Sequence, residues 1–109
     1  MTTFDDREKA FEHQYEHDQE LQFKTHARMN KLLGLWAAGL MGKSGAEAES
    51  YARDVVMADF EKPGDSDVVD KLMRDLAAAG KPTEAQTIRK QSELLRREAR
   101  RQIMTEVKK

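Results

Sequence analysis

Cysteine is missing from all 109 residues, which excludes disulfides, thiolate metal sites and cysteine nucleophiles. Aromatic residues make up only 6%, β-branched runs are scarce, and no window alternates apolar with polar residues, so no strands are expected. No long hydrophobic run occurs. The longest apolar stretch, 32–41, contains two glycines and is far too short to span a bilayer. The N-terminus has no apolar core of the kind a signal peptide needs, so a soluble protein is expected. Also missing are GxxxxGK[ST] and GxGxxG phosphate loops and the GxSxG nucleophile elbow. Nothing in the sequence supports an enzyme.

What is present is charge and helical periodicity. Charged residues reach 36% against 39% hydrophobic, the balance of a thin-cored helical bundle. The length suits one domain. Breaks fall at Gly42-Lys43-Ser44-Gly45, Lys62-Pro63-Gly64-Asp65 and Gly80-Lys81-Pro82, the residue types that punctuate helices. Ser44 with Glu47, and Thr83 with Gln86, have capping-box spacing, and Asp65 is placed as a helix cap. The segments between carry helical apolar stripes. They run through Leu33 and Trp36, then Tyr51, Val55 and Phe60, then Val69, Leu72 and Leu76, and last Ile88, Ala99, Ile103 and Val107. An all-α four-helix bundle follows, with spans near 19–41, 45–61, 66–79 and 83–107 and mostly antiparallel neighbours. Trp36 is read as core, and Gly34 and Gly39 as points where a neighbouring helix approaches closely.

Residues 1–18 fit that bundle poorly, so the chain divides into an N-terminal segment, 1–18, and a bundle, 19–109. Drawn as a helix, the segment shows one narrow line, Phe4, Phe11 and Tyr15 at i, i+7 and i+11. So thin a stripe buries too little to hold a helix, and a flexible or partly helical extension is expected. A segment of this kind can fold onto a partner's groove through its aromatic line. The near-zero net charge conceals a split. Residues 1–20 hold seven acidic against two basic residues, and 89–109 hold eight basic against three acidic. Head and tail either attract each other or face different partners.

Other constellations weigh less. His13-Gln14-Tyr15-Glu16-His17 has the HxxEH spacing of inverted zinc peptidases, but the segment offers no third ligand and no cleft, and no metal or cofactor is expected. Asp5-Asp6 and Asp65/Asp67 fit helix-start chemistry. Arg89, Lys90, Arg96, Arg97, Arg100 and Arg101 could track a phosphate backbone, yet no aromatics interleave them for stacking.

Several motifs in order carry a family likeness: Met1-Thr-Thr-Phe-Asp-Asp-Arg-Glu8, Leu21-Gln-Phe-Lys24, and Ala27-Arg28 followed by Asn30-Lys-Leu-Leu-Gly-Leu-Trp-Ala-Ala38. Downstream stand Tyr51-Ala52 and Phe60-Glu-Lys-Pro-Gly-Asp65, then Asp67-Val68. Across nearly its whole length the chain resembles the ATPase inhibitor zeta subunit of alphaproteobacterial F-type ATP synthases. The resemblance implies a four-helix bundle with an inhibitory N-terminal segment that is flexible when free. On the enzyme it becomes helical between a catalytic α/β interface and the central stalk, blocking rotation in the hydrolysis direction. Residues 1–19 would be that segment, with Phe4, Phe11 and Tyr15 as apolar anchors. Asp5, Asp6, Arg7, Glu8 and Lys9 would make its polar contacts. The partner would be the catalytic head, reached on the cytoplasmic side of the inner membrane without membrane insertion. Glu12 to Asp18 is where such proteins differ most, and here it is histidine-rich. Protonation of His13 and His17 near about pH 6 would lower the segment's negative charge and favour its helix. The alternatives from the residues alone are a nucleic-acid-binding module using the basic last helix, and a generic helical adaptor working through an apolar patch around Trp36.

Overall fold

The computed structural model describes residues 18–62 and 65–108. They form four helices and, among the described residues, no strand. The helices are α1 (Gln19–Leu40), α2 (Gly45–Glu61), α3 (Asp65–Ala78) and α4 (Ala85–Lys108). The four-helix bundle expected from periodicity is present, with every boundary within two residues of its predicted place. The segment before Asp18, and the turn at Pro63 and Gly64, lie outside the described residues.

Glycine stops α1 and α3 by the same device. Gly42 and Gly80 sit at φ of +81° and +80°, a left-handed conformation that side chains resist. The turn lets Lys43 N–H donate to Ala38 O and Lys81 N–H to Leu76 O, each at 2.8 Å. Gly42 and Gly80 themselves donate to Gly39 and Ala77. Both ends are Schellman motifs, which satisfy carbonyls the helix would otherwise leave open.

Helix starts are less regular. Asp18 caps α1, its Oδ1 accepting from the N–H groups of Glu20 at 3.0 Å and Leu21 at 3.2 Å. Ser44 takes the extended N-cap conformation before α2 but makes no side-chain cap bond. Thr83 does not cap either. Its hydroxyl donates to Lys81 O at 2.9 Å, and α4 begins two residues beyond the expected start. Asp65 is already inside α3.

The main core joins Leu33, Ala37, Ala38, Tyr51, Val55, Val68, Val69, Leu72, Leu76 and Ile88, with Trp36 packed partly buried against it. Burying a leucine fully is worth about 2 kcal/mol, so this cluster carries most of the bundle's stability. A second, smaller cluster pairs Leu21 with Ile103, tying the start of α1 to the end of α4. The pairings Leu21 with Ile103 and Leu33 with Ile88 set α1 and α4 antiparallel. Against α2, His26 meets Asp59 while Gly34 meets Ala52, again antiparallel. Small residues make that second contact tight: a Cβ on Gly34 would stand 2.7 Å from Ala52 Cα.

Several expectations about burial are corrected. Gly39 has nothing within 4 Å of its would-be Cβ, because α1 has by then run past α2. Phe60 lies at the far end of α2 and is 64% exposed; Leu40 and Val107, also terminal, are exposed as well. The pattern missed two buried polar residues, Thr25 and Asn30. Thr25 donates its hydroxyl to Leu21 O at 2.8 Å, the local bond that lets threonine sit inside a helix face.

Candidate functional site

All the site residues named from the sequence, Phe4, Asp5, Asp6, Arg7, Glu8, Lys9, Phe11 and Tyr15, lie outside the described residues, as do His13 and His17. What the structure does describe is the platform from which that segment leaves. Asp18 fixes the exit by capping α1, and its carbonyl accepts from Gln22 N–H at 3.1 Å.

Beside this exit stands an apolar surface that the sequence pattern did not single out. Phe23, on the side of α1 away from the core, meets Phe60 edge to face with ring centroids 6.1 Å apart, a favoured aromatic geometry. Met57 is the third large apolar side chain here, and all three are more than half exposed. From Phe23 a groove of about 690 Å³ runs over Ala27 towards Lys31, walled by Arg53, Val56 and Met57 of α2 and by Ile103 and Glu106 of α4. Its rim is charged. Arg28 donates to Gln102 Oε1 at 2.7 Å and to Glu106 Oε1 at 2.8 Å, and Lys24 pairs with Glu20 at 3.3 Å. Behind the aromatic pair, His26 Nε2 lies 3.0 Å from Asp59 Oδ2. The other oxygen of Asp59 is buried and has no hydrogen-bond partner among the described residues.

Two further polar sites lie deeper. Tyr51 donates its hydroxyl to Asp75 Oδ2 at 2.7 Å, and the Lys71 ammonium donates to the same oxygen at 3.0 Å while lying over the Tyr51 ring. Burial, and then the bond to Asp75 and its charge, push the Tyr51 hydroxyl well above its ordinary value, so it stays protonated. Burial works against the Asp75 charge, but hydrogen bonds from Tyr51 and Lys71 prevail and hold its carboxyl below the usual range. This triad staples α2 to α3 rather than moving protons. Between α1, α3 and α4, a second groove is lined by Asn30, Leu33, Val68, Arg89, Arg96 and Arg97, and the buried Asn30 amide nitrogen is unpartnered among the described residues. No group of three or more histidines, aspartates or glutamates able to hold a metal occurs among the described residues. Nor is any described helix long and apolar enough to cross a membrane.

The basic face of α4 is partly self-neutralised. Arg101 grips Glu98 through two bonds of 2.9 and 2.6 Å, and Gln102 adds a third at 2.8 Å. These bonds, that from Arg101 first, hold the Glu98 carboxyl down to about 2.

Compared with known protein families, the chain matches the model described as ATPase inhibitor subunit zeta over residues 1–102. It belongs to the ATPase inhibitor subunit zeta family. Among solved structures it is similar to a protein determined by solution NMR, with 45% identity and a TM-score of 0.69. That match covers 79% of this chain and 98% of the other. No curated protein sequence matches. The zeta-family match begins at the first residue, so it takes in the whole acidic segment that precedes Asp18 as well as the bundle.

Proposed function

We propose that this chain is a non-enzymatic inhibitor subunit that docks on the catalytic head of an F-type ATP synthase. Its N-terminal segment, residues 1–18, inserts beside the central stalk and blocks rotation in the hydrolysis direction. The observation that carries this reading is the family match from residue 1: the segment belongs to the family pattern although the core of the bundle closes without it. Phe4, Phe11 and Tyr15 would anchor the segment in an apolar groove of the enzyme. Asp5, Asp6, Arg7, Glu8 and Lys9 would contribute polar contacts at its start. Two physical points support the division of labour. A helix with so thin an apolar line gains its stability from a partner rather than from itself. The bundle, by contrast, has its own core and a fixed first cap at Asp18, and so can present the segment from a rigid base. The chain then acts at the cytoplasmic face of the membrane that carries the synthase, without entering it.

The test is ATP hydrolysis by the cognate enzyme with full-length protein and with a form lacking residues 1–17, which keeps the Asp18 cap. Full-length protein is expected to inhibit, and the shortened form to lose inhibition while its circular dichroism shows an intact bundle. Equal inhibition by both forms would refute the proposal.

A further inference from the structure

The groove that starts at Phe23 has three properties that together specify an occupant. Its apolar part is out of proportion to so small a surface: Phe23, Met57 and Phe60 are 57%, 54% and 64% exposed, and adjoining exposed apolar side chains mark a contact site. Its open end carries Lys31 and Arg53, cations for which no bond is recorded among the described residues, whereas Arg28 and Lys24 are engaged with Glu106 and Glu20. It lies on α1, the helix that residues 1–17 lead into, and Phe23 stands five residues after the cap at Asp18.

We infer that residues 4–15 of this same chain lie along the Phe23–Lys31 groove when the protein is not bound to a partner. The lengths agree. Phe23 to Lys31 spans about 12 Å of helix rise, and Phe4 to Tyr15 as a helix spans about 16 Å. Residues 16 to 18 are left to reverse the chain direction. The surfaces agree as well. The line of Phe4, Phe11 and Tyr15 faces Phe23, Ala27, Val56 and Met57, and Asp5, Asp6, Glu8 and Glu12 alongside it face Lys31 and Arg53. Glu49 and Glu106 on the same rim oppose the segment's charge and keep the contact weak. Weakness is no obstacle for a tethered segment. A short flexible tether supplies an effective concentration in the millimolar range, so a contact too weak to recruit a separate molecule still holds a neighbour on the same chain. The contact stands apart from the inhibitor reading. Joined to it, the contact makes the segment's anchors unavailable to the enzyme until the groove releases them.

The chain's lack of cysteine makes a clean experiment possible. A nitroxide on Ala10→Cys in the full-length protein, off the aromatic line, broadens any backbone amide near which residue 10 docks. Loss of amide signal is expected at Ala27, Arg53 and Met57. It should persist on dilution and be absent when spin-labelled protein is mixed with isotope-labelled protein that carries no nitroxide. In the Lys31→Glu, Arg53→Glu variant the docked population should drop about fivefold, as expected from reversing two surface ion pairs, with unchanged helicity. Broadening confined to residues 18–22 would overturn the inference. So would broadening centred on Arg96 and Arg100, which would put the segment on α4, or broadening in the mixed sample, which would make the occupant a second copy. No enzyme is present in this measurement, so its failure leaves the hydrolysis test of the inhibitor reading standing.

Discussion

Single side chains do much of the work of fixing this small bundle. Tyr51 reaches from α2 to α3, and Tyr51→Phe removes one hydroxyl while leaving Asp75 to Lys71 alone. A loss of about 1 kcal/mol is expected, the usual size for one hydrogen bond to a charged partner in a part-exposed setting, read as a lower urea midpoint at unchanged slope. The same change should raise the Asp75 carboxyl towards its ordinary value. Because its folded value is depressed, Asp75 contributes stability above the ordinary carboxylate range and loses it as pH falls through the lowered folded value. Glu98 follows the same sign. Its carboxyl falls from 4.5 to about 2, so its contribution is whole above about pH 4.5 and gone below about pH 2. Arg101→Ala should move the Glu98 midpoint, measured by carbon NMR of the side chain, most of the way back, with Gln102 holding the remainder. At His26 the effect is one of leaving a charge alone. His26→Leu strands Asp59, one of whose oxygens is already buried without a partner, and about 1–3 kcal/mol of stability should be lost.

Between elements, distance of approach is the controlling variable. Gly34→Ala drives a methyl to 2.7 Å from the Ala52 backbone, so α1 and α2 must separate, at a cost of about 1–3 kcal/mol. Gly39→Ala, five residues on, meets nothing and exchanges a poor helix former for the best one, with a gain of up to about 1 kcal/mol. Thermal midpoints of the two variants should move in opposite directions. Sequence alone gave these glycines the same reading, because spacing does not say where the neighbouring helix ends. The limits of legibility elsewhere have the same origin. Helix ends were readable at Gly42 and Gly80 because a left-handed turn there depends on the glycine itself. Helix starts were not, because Ser44 and Thr83 have several nearby groups to bond and Thr83 chose Lys81 O over the helix. Phe60 sat correctly in phase with Tyr51 and Val55, yet phase says nothing about whether a partner helix extends that far. Its pairing with Phe23 is a contact between chain positions 37 residues apart, invisible to local pattern. Of the site expected from the sequence, Phe4 to Tyr15, every residue lies outside the described ones, and what emerged was the apolar platform beside it.

At the scale of the whole molecule the bundle is uneven. The long helices α1 and α4 have 22 and 24 residues against 17 and 14 for α2 and α3. The main core therefore gathers towards one end, and Leu21 with Ile103 forms a separate small contact at the other. Hydrogen exchange should register this as two tiers. Amides around Leu33, Val55 and Leu72 should open only with global unfolding, while those from Leu21 to Thr25 and from Ala99 to Ile103 exchange through a cheaper opening of their own. The end that opens most readily is the one from which residues 1–17 depart. A partner pulling on that segment can then draw out the first turn of α1 without melting the main core. The molecule is in effect an anchor with a little slack in its line, able to stay attached while the surface it holds moves by a helical turn.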